Sequence, residues 1–299
     1  MEPLNEMELA GETGQPPDRP EPGRFSRSWL ALREPADARA RARDLAAGLA
    51  DRLVGRPQLV IHDLGSGTGS MGRWLAPLLP GPQHWVLHDR DPDLLEIALA
   101  DPASAAADGS AVTVAGRPGD VGRLTAEDLA EADLITTSAL LDLLTRHEVA
   151  SLAAACAGAR CPALLTLTVA GRVELRPADR QDGEVSAAFN AHQRRTAGGR
   201  RLLGPDAIAS TIQAFSRLGG VVQVRASAWQ LGDWQPDDWQ PRGGDLDLLG
   251  RWLRGWVGAA AEQRPDLPLD GYLAGRLDAA DSGRLGVSVH HQDILVNWG

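Results

Sequence analysis

Residues 58–69 read Gln-Leu-Val-Ile-His-Asp-Leu-Gly-Ser-Gly-Thr-Gly, an apolar run from Gln58 to Leu64 that carries an acid at Asp63 and breaks into a glycine-rich turn. A helix-like stretch with Met71, Trp74, Leu75, Leu78 and Leu79 follows at once. The order is strand, glycine loop, helix. Working outward, Trp85-Val86-Leu87 predicts a second buried strand, and Asp91 to Ala100 a helix opened by Pro92. Val112-Thr113-Val114 reads as a third strand, and Leu134 to Thr137 as a fourth, preceded by a helix that Thr125 and Asp128 would cap. Thr145-Arg-His-Glu148 is a capping-box pattern opening a helix to Ala157, and Ala163 to Val169 is a strongly apolar fifth strand. Strands separated by helices of this length predict right-handed βαβ units and a mostly parallel sheet with helices on both faces.

The flanks read differently. Residues 1–27 are rich in Pro, Gly and Glu without apolar periodicity and are expected to be a disordered tail. Leu45, Leu49 and Leu53 predict one helix from Asp37 to Val54, so residues 28–57 form an N-terminal helical cap before a core over 58–170. Residues 171–204 are polar and arginine-rich, expected as a lid or substrate insertion. Residues 205–299 would complete the sheet with a helix at 205–217, a strand at 221–224 and strand-like runs at 285–289 and 294–296. Leu249, Trp252, Leu253, Trp256, Val257 and Ala260 make one stripe of a long amphipathic helix. The fold class expected is α/β, a Rossmann-like sheet of about seven strands with a helical lid insertion.

Composition limits the partners. The chain has 299 residues, 43% hydrophobic and 23% charged, with a formal charge of −10 and no lysine. An acidic chain without a basic run is a poor match to a phosphate backbone, so nucleic acid is not the expected partner. No apolar stretch reaches the ~18 residues of a membrane span, and a cytoplasmic protein without a membrane partner is expected. Cys156 and Cys161 supply neither a disulfide framework nor a four-ligand metal site and read as small buried hydrophobes. The tryptophan-rich stretch from Trp229 to Trp256 reads as core or as the interface of a homodimer.

The glycine loop permits two cofactor readings. Gly67-Thr-Gly69-Ser-Met-Gly72 is a G-x-G-x-x-G pattern, and Asp89 ends the second strand twenty residues after Gly69, where a carboxylate accepts both hydroxyls of a ribose. A nicotinamide dinucleotide uses that arrangement. Yet the loop opens on an acid, Asp63, which suits a cationic aminoacyl end and opposes a pyrophosphate. Gly119-Asp120 after the third strand offers an acceptor to an adenine amino group, and no second glycine-rich half follows.

Taken in order, IHDLGSGTGS, VLHDRDPDLLEIA, GRPGDV and ADLITTSALLDLL resemble the successive motifs of class I S-adenosylmethionine-dependent methyltransferases across residues 58–170. The resemblance implies S-adenosyl-L-methionine as cofactor, with S-adenosyl-L-homocysteine as product. It puts Asp63, Gly65, Ser66, Gly67 and Gly69 around the methionine part, Asp89 with Arg90 at the ribose, and Asp120 with Val121 at the adenine. Thr137 and Ser138 would line the floor where cofactor and substrate meet. Asp91 competes with Asp89 for the ribose. Thr137-Ser138-Ala139-Leu140 stands where the family's amine-modifying DNA and protein enzymes carry Asn/Asp-Pro-Pro-aromatic, so a small-molecule substrate with a hydroxyl or carboxylate acceptor is expected.

Residues outside the motifs supply the substrate-side candidates. On a helix, Val185, Ala188, Phe189 and His192 share a face; His192 is the candidate catalytic base or a satisfied core histidine. Asn190 and Arg194 lie at i, i+4 beside it. Arg194, Arg195, Arg200 and Arg201 read either as a solvated charge run or as a lid, hinged at Gly198-Gly199, that holds an anionic substrate. Trp29 and Arg33, placed before the first helix, would close the site, and a hydrophobic staple for that helix explains Trp29 equally well. His62, His84 and His147 read as structural. His290, His291 and Asp293 lack a third metal ligand, so no metal is expected. Two rival functions remain: an NAD(P)-dependent oxidoreductase, weakened because Tyr272 is the only tyrosine and there is no lysine for a proton relay, and a catalytically silent S-adenosylmethionine-binding regulator.

Overall fold

A computed structural model describes residues 25–232 and 243–299. Of the tail expected over residues 1–27, residues 1–24 lie outside the described residues, as do Trp234 and Trp239 of the tryptophan-rich stretch; Ser26 and Arg27 are instead ordered as the N-cap and first residue of a helix. In chain order the helices and strands are α1 (Arg27–Ala40), α2 (Arg43–Leu53), β1 (Leu59–Leu64), α3 (Ser70–Leu75), β2 (Gln83–Asp89), α4 (Pro92–Ala100), β3 (Val112–Pro118), β4 (Leu134–Ser138), α5 (Arg146–Ala159), β5 (Ala163–Arg176), α6 (Asp182–Gln193), β6 (Thr196–Ala197), β7 (Arg200–Arg201), α7 (Ala207–Arg217), β8 (Val221–Ala226), β9 (Trp229–Gly232), α8 (Gly243–Gln263), α9 (Asp270–Asp281) and β10 (Gly286–Asn297).

The central sheet runs β3-β2-β1-β4-β5-β10-β8, with β9 added beside β10. The first five strands are mutually parallel, and β10 is antiparallel to both its neighbours on this path. Helices cover both faces, as an apolar parallel sheet requires. On one face α2, α3 and α4 bury Leu45, Leu49, Trp74 and Leu95 against Ile61, Trp85 and Leu87. On the other, α5 and α7 bury Leu152, Cys156 and Phe215 against Ile135, Leu165 and Ile294. This is a Rossmann-like α/β fold, seven strands along the path and a short eighth.

Four local expectations are corrected. The helix expected from Asp37 to Val54 is two helices that part at Arg41-Ala42, because the Ala42 N–H leaves the helix to bond Asp293 Oδ2 at 2.8 Å. Trp29 and Arg33 therefore lie inside α1, which runs through Pro35. The lost proline donor is offset by Ser26 accepting at the N-cap and by a two-pronged Arg33–Asp37 ion pair one turn apart. The segment after Thr125 is a turn; Thr125 and Asp128 do bond each other as a cap would, but no helix follows before β4. The two strand-like runs near the C-terminus are one strand, β10, interrupted by register shifts between Val289 and His291 and between Gln292 and Ile294.

β5 and β10 run past the edge of β4, and their outer halves, with β9, carry α1, α6, α8 and α9. There Trp229, Leu231, Trp252, Trp256, Val257 and Leu285 form a third core. Trp252 and Trp256 stack at 5.2 Å, so the amphipathic stripe of α8 is core. Gly198 and Gly199, expected as a hinge, are the positive-φ turn of the β6–β7 hairpin, a conformation glycine adopts without strain. Among the described residues no helix is long and apolar enough to cross a membrane.

Candidate functional site

The carboxyl ends of β1, β2 and β4 meet beside the glycine loop. Gly65, Gly67 and Gly69 have φ of 68°, 53° and 85°, the left-handed region that side chains disfavour. The loop is held open by the Gly65 and Ser66 N–H groups donating to the His88 carbonyl at 2.8 and 2.9 Å, and by Gly67 N–H donating to Asp89 Oδ2 at 2.8 Å. Asp89 Oδ1 accepts from Asp91 N–H at 2.9 Å, and its carbonyl from Gly119 N–H at 2.9 Å, which ties the end of β3 to the same point. An ionised carboxylate has about four acceptor positions, so Asp89 keeps capacity for further donors. Asp91 caps α4 through Asp93 N–H and is buried, which favours Asp89 of the two rivals. Arg90 between them is exposed. Asp120 is exposed beside Val121, one oxygen accepting from Gly122 N–H at 3.0 Å.

Asp63 is 1% exposed. Its register places it against Thr136, whose hydroxyl donates to Oδ1 at 2.8 Å, while Oδ2 is buried without a partner. Burial pushes the carboxyl up to about 7, against the pull of Thr136 and Arg41. Thr137 Oγ1 and Ser66 Oγ are likewise buried and unpartnered. Enclosed polar atoms are satisfied as a rule, so the orphans Asp63 Oδ2 and Ser66 Oγ beside the loop stand out; Thr137, next to Thr136 on β4, points to the opposite face of the sheet.

Arg41 and Asp142, buried polar groups near the end of β4, were missed in the sequence. Arg41, 2% exposed, reaches from the α1–α2 junction to donate to Ser138 Oγ at 3.0 Å and Ser70 Oγ at 3.2 Å, with its guanidinium 5.4 Å from the Trp74 ring centroid. Read as a helix through Pro35, the sequence would have shown Arg33, Asp37 and Arg41 as one charged stripe at i, i+4, i+8. Asp142 sits on a one-turn 3₁₀ helix, Leu141–Leu143, just past β4. Its Oδ1 is enclosed without a partner, and burial pushes the carboxyl up to about 6 against the pull of Arg33 and Arg195. α1 lies over the loop: Leu30 packs against Gly67, and Glu34 takes a two-pronged ion pair from Arg73 of α3 at 2.7 Å.

The substrate-side candidates are mostly engaged elsewhere. His192 Nε2 lies 3.2 Å from Glu262 of α8, its Nδ1 is 3.3 Å from Arg195, and burial with Arg195 holds the ring below its ordinary value. That favours the satisfied histidine over the base. Asn190 donates to the Gly171 carbonyl at 2.7 Å. Arg194 makes a two-pronged pair with Asp206 at 2.8 Å, and Arg200 another with Glu148 at 2.7 and 3.0 Å, so these two belong to a paired charge network. Trp29 packs edge-on against Trp229 at 6.4 Å, and Arg33 lies 5.0 Å over the Trp229 ring. Asp293 spends both oxygens on the N–H groups of Leu167 and Ala42, and His291 is buried against Trp229. Tyr272 donates to Asp182 in the third core, which removes it from any relay at the loop.

No family model and no curated protein matches this chain. Solved structures similar to it include a SAM-dependent methyltransferase from Geobacter sulfurreducens in complex with S-adenosyl-L-homocysteine, at 14% identity and a TM-score of 0.41, covering 91% of this chain and 98% of that one. Another, from Thiobacillus denitrificans with the same ligand, shows 15% identity and a TM-score of 0.41 over 91% of this chain and 98% of its own. Mycolic acid cyclopropane synthase, complexed with SAH and CTAB, shows 14% identity and a TM-score of 0.44 over 86% of this chain and 84% of its own. Likeness at these scores carries no weight for function.

Proposed function

We propose that this chain is an S-adenosyl-L-methionine-dependent methyltransferase acting on a small polar or anionic metabolite through a hydroxyl or carboxylate oxygen. The observation that carries the reading is Asp63: a buried carboxyl with one oxygen unpartnered, at the mouth of a positive-φ glycine loop. A pyrophosphate would be repelled there; an ammonium would be held. Asp89 presents its remaining acceptor positions to a ribose, Gly65, Ser66, Gly67 and Gly69 let the backbone approach, and Asp120 with Val121 flanks the adenine. Ser138 forms the floor. The ligand, when bound, supplies an electrophilic methyl group on a sulfonium.

The work left to the protein is alignment, exclusion of water and, for a hydroxyl acceptor, one proton transfer. α1 excludes water by closing over the loop through Leu30 and Glu34. Asp142 suits the proton-accepting role better than His192, because its Oδ1 is free while both His192 ring nitrogens have partners. A carboxylate acceptor would need no base, and Arg195, which bonds His192 and no carboxylate among the described residues, supplies the charge to orient it.

Titration calorimetry with S-adenosyl-L-methionine, S-adenosyl-L-homocysteine, NADH and NADPH tests the reading. Micromolar binding of the two sulfur nucleosides is expected. Binding of the nicotinamides alone would replace this reading with an oxidoreductase, and nucleoside binding without turnover across a metabolite screen would leave the silent regulator.

A further inference from the structure

We infer that the cleft between the start of α5 and the β6–β7 hairpin is a binding site for a small molecule carrying a phosphoryl group. It is separate from the loop at Asp63 and does not rest on the nucleoside reading. The cleft is lined by the first turn of α5, the end of α6 and the hairpin with the residues that follow it to Asp206, and its volume is about 510 Å³. That lies within the roughly 300–1,000 Å³ of small-molecule sites. Arg146, Arg194, Arg200 and Arg201 face it together with Glu148 and Asp206, a local surplus of two positive charges on a chain whose formal charge is −10.

Two of these arginines are engaged and two are not. Arg194 holds Asp206 through two bonds of 2.8 Å; Arg200 holds Glu148 at 2.7 and 3.0 Å and donates to the Leu143 carbonyl at 3.2 Å. Among the described residues Arg146 and Arg201 make no hydrogen bond or ion pair. Both nevertheless act on Asp206: after Arg194, which bonds it, they help hold its carboxyl below the ordinary value. From α5 and from β7, two unengaged guanidinium groups converge on an acid that Arg194 already occupies. A planar carboxylate is met best by one guanidinium fork in its own plane. A tetrahedral phosphoryl offers three oxygens and accepts from arginines that arrive from different elements. A phosphate monoester also carries about two negative charges at neutral pH, which matches the surplus. Nucleic acid is not the source of that group, because the local surplus acts over only about 8 Å while the rest of an acidic chain repels a polyanion.

Calorimetry on the full chain at fixed ionic strength, with glycerol 3-phosphate, inorganic phosphate and succinate as probes, tests the assignment. Wild type should bind glycerol 3-phosphate saturably at one site, no more weakly than inorganic phosphate and about 10-fold more tightly than succinate. The double variant Arg146→Gln/Arg201→Gln should lose about 10-fold in glycerol 3-phosphate affinity. Arg52→Gln/Arg217→Gln removes the same charge from exposed positions outside the cleft and should change it less than twofold. All four side chains are exposed, so urea midpoints should stay in place, and the comparison of probes on wild type needs no variant at all. Absence of saturable binding, succinate bound as tightly as the phosphates, or parallel loss in both double variants would overturn the site and leave a solvated charge run. Inorganic phosphate bound more tightly than the ester would overturn it as a site for an organic phosphate. Binding of S-adenosyl-L-homocysteine should be unchanged in Arg146→Gln/Arg201→Gln; a tenfold fall would overturn the separation of the two sites. If wild type binds the ester and not the nucleoside, the nucleoside reading fails and this one stands.

Discussion

Arg41 and Arg276 are both buried arginines, and the molecule treats them in opposite ways. Arg276, on α9 in the third core, donates to Asp182 and to the Pro177 carbonyl, and Asp182 also accepts from Tyr272. Arg41, at the strand ends, bonds two hydroxyls and the Ser70 carbonyl, and among the described residues meets no carboxylate at bonding distance. Each keeps a buried Nε without a partner, so the difference between them is the carboxylate that Arg276 has and Arg41 lacks. Partnering, more than burial, separates the two.

The comparison breaks first at the paired end. Asp182→Ala leaves Arg276, 7% exposed, without its carboxylate, and should cost about 3 kcal/mol in urea unfolding while nucleoside binding stays unchanged. A loss below ~1 kcal/mol would mean the pair is worth no more than a surface one. At the ligand end, Asp89→Ala removes acceptors for two ribose hydroxyls and the clamp on Gly67 N–H, so binding of S-adenosyl-L-homocysteine should fall by about 100-fold in calorimetry.

Asp63 sharpens the contrast through pH. Its folded-state value is about 7 against an ordinary 3.8, so the folded chain holds a proton that the unfolded chain releases. Stability from this group is therefore full at low pH and is lost as pH rises from about 4 to 7. Asp63→Asn removes that loss: it should match wild type near pH 4 and exceed it by about 4 kcal/mol near pH 8, with nucleoside binding weakened. A variant less stable than wild type at pH 8 would show that the ionised carboxylate is supported where the structure leaves Oδ2 alone.

How much of this the sequence disclosed follows the same division. Strands β1, β2, β4 and β5 were legible from their buried apolar runs, and β3, with no buried residue, from Val112-Thr113-Val114; Asp89 could be placed because it ends the run of β2. α1 was hidden by Pro35, since a proline reads as a break when the ion pair and cap that compensate it cannot be seen. β10 was split in two because His290, His291, Gln292 and Asp293 look like a turn, while in the fold Asp293 is a strand residue whose carboxylate bonds the backbone of two other elements. Arg41 left no trace because it stands among Arg39 and Arg43, one arginine of three at alternate positions. Only the fold shows which of them is withdrawn from water without a carboxylate at bonding distance among the described residues.

The arginines that did stand out, 194 to 201, supply the smallest effect and the sharpest check on this logic. Arg194 is 34% and Asp206 52% exposed, so solvent screens their two-pronged bond and its net worth is under about 1 kcal/mol. Arg194→Ala should lower stability by no more than that and leave S-adenosyl-L-homocysteine binding untouched, because its charge is spent on Asp206 and its position lies at the end of α6, away from the glycine loop's hydrogen bonds. Among the described residues Arg195 donates only to His192, so a double substitution of both arginines separates the two roles. If Arg194→Ala alone weakens nucleoside binding tenfold, a paired and exposed arginine is reaching the ligand, and partnering would no longer distinguish the two kinds of charge.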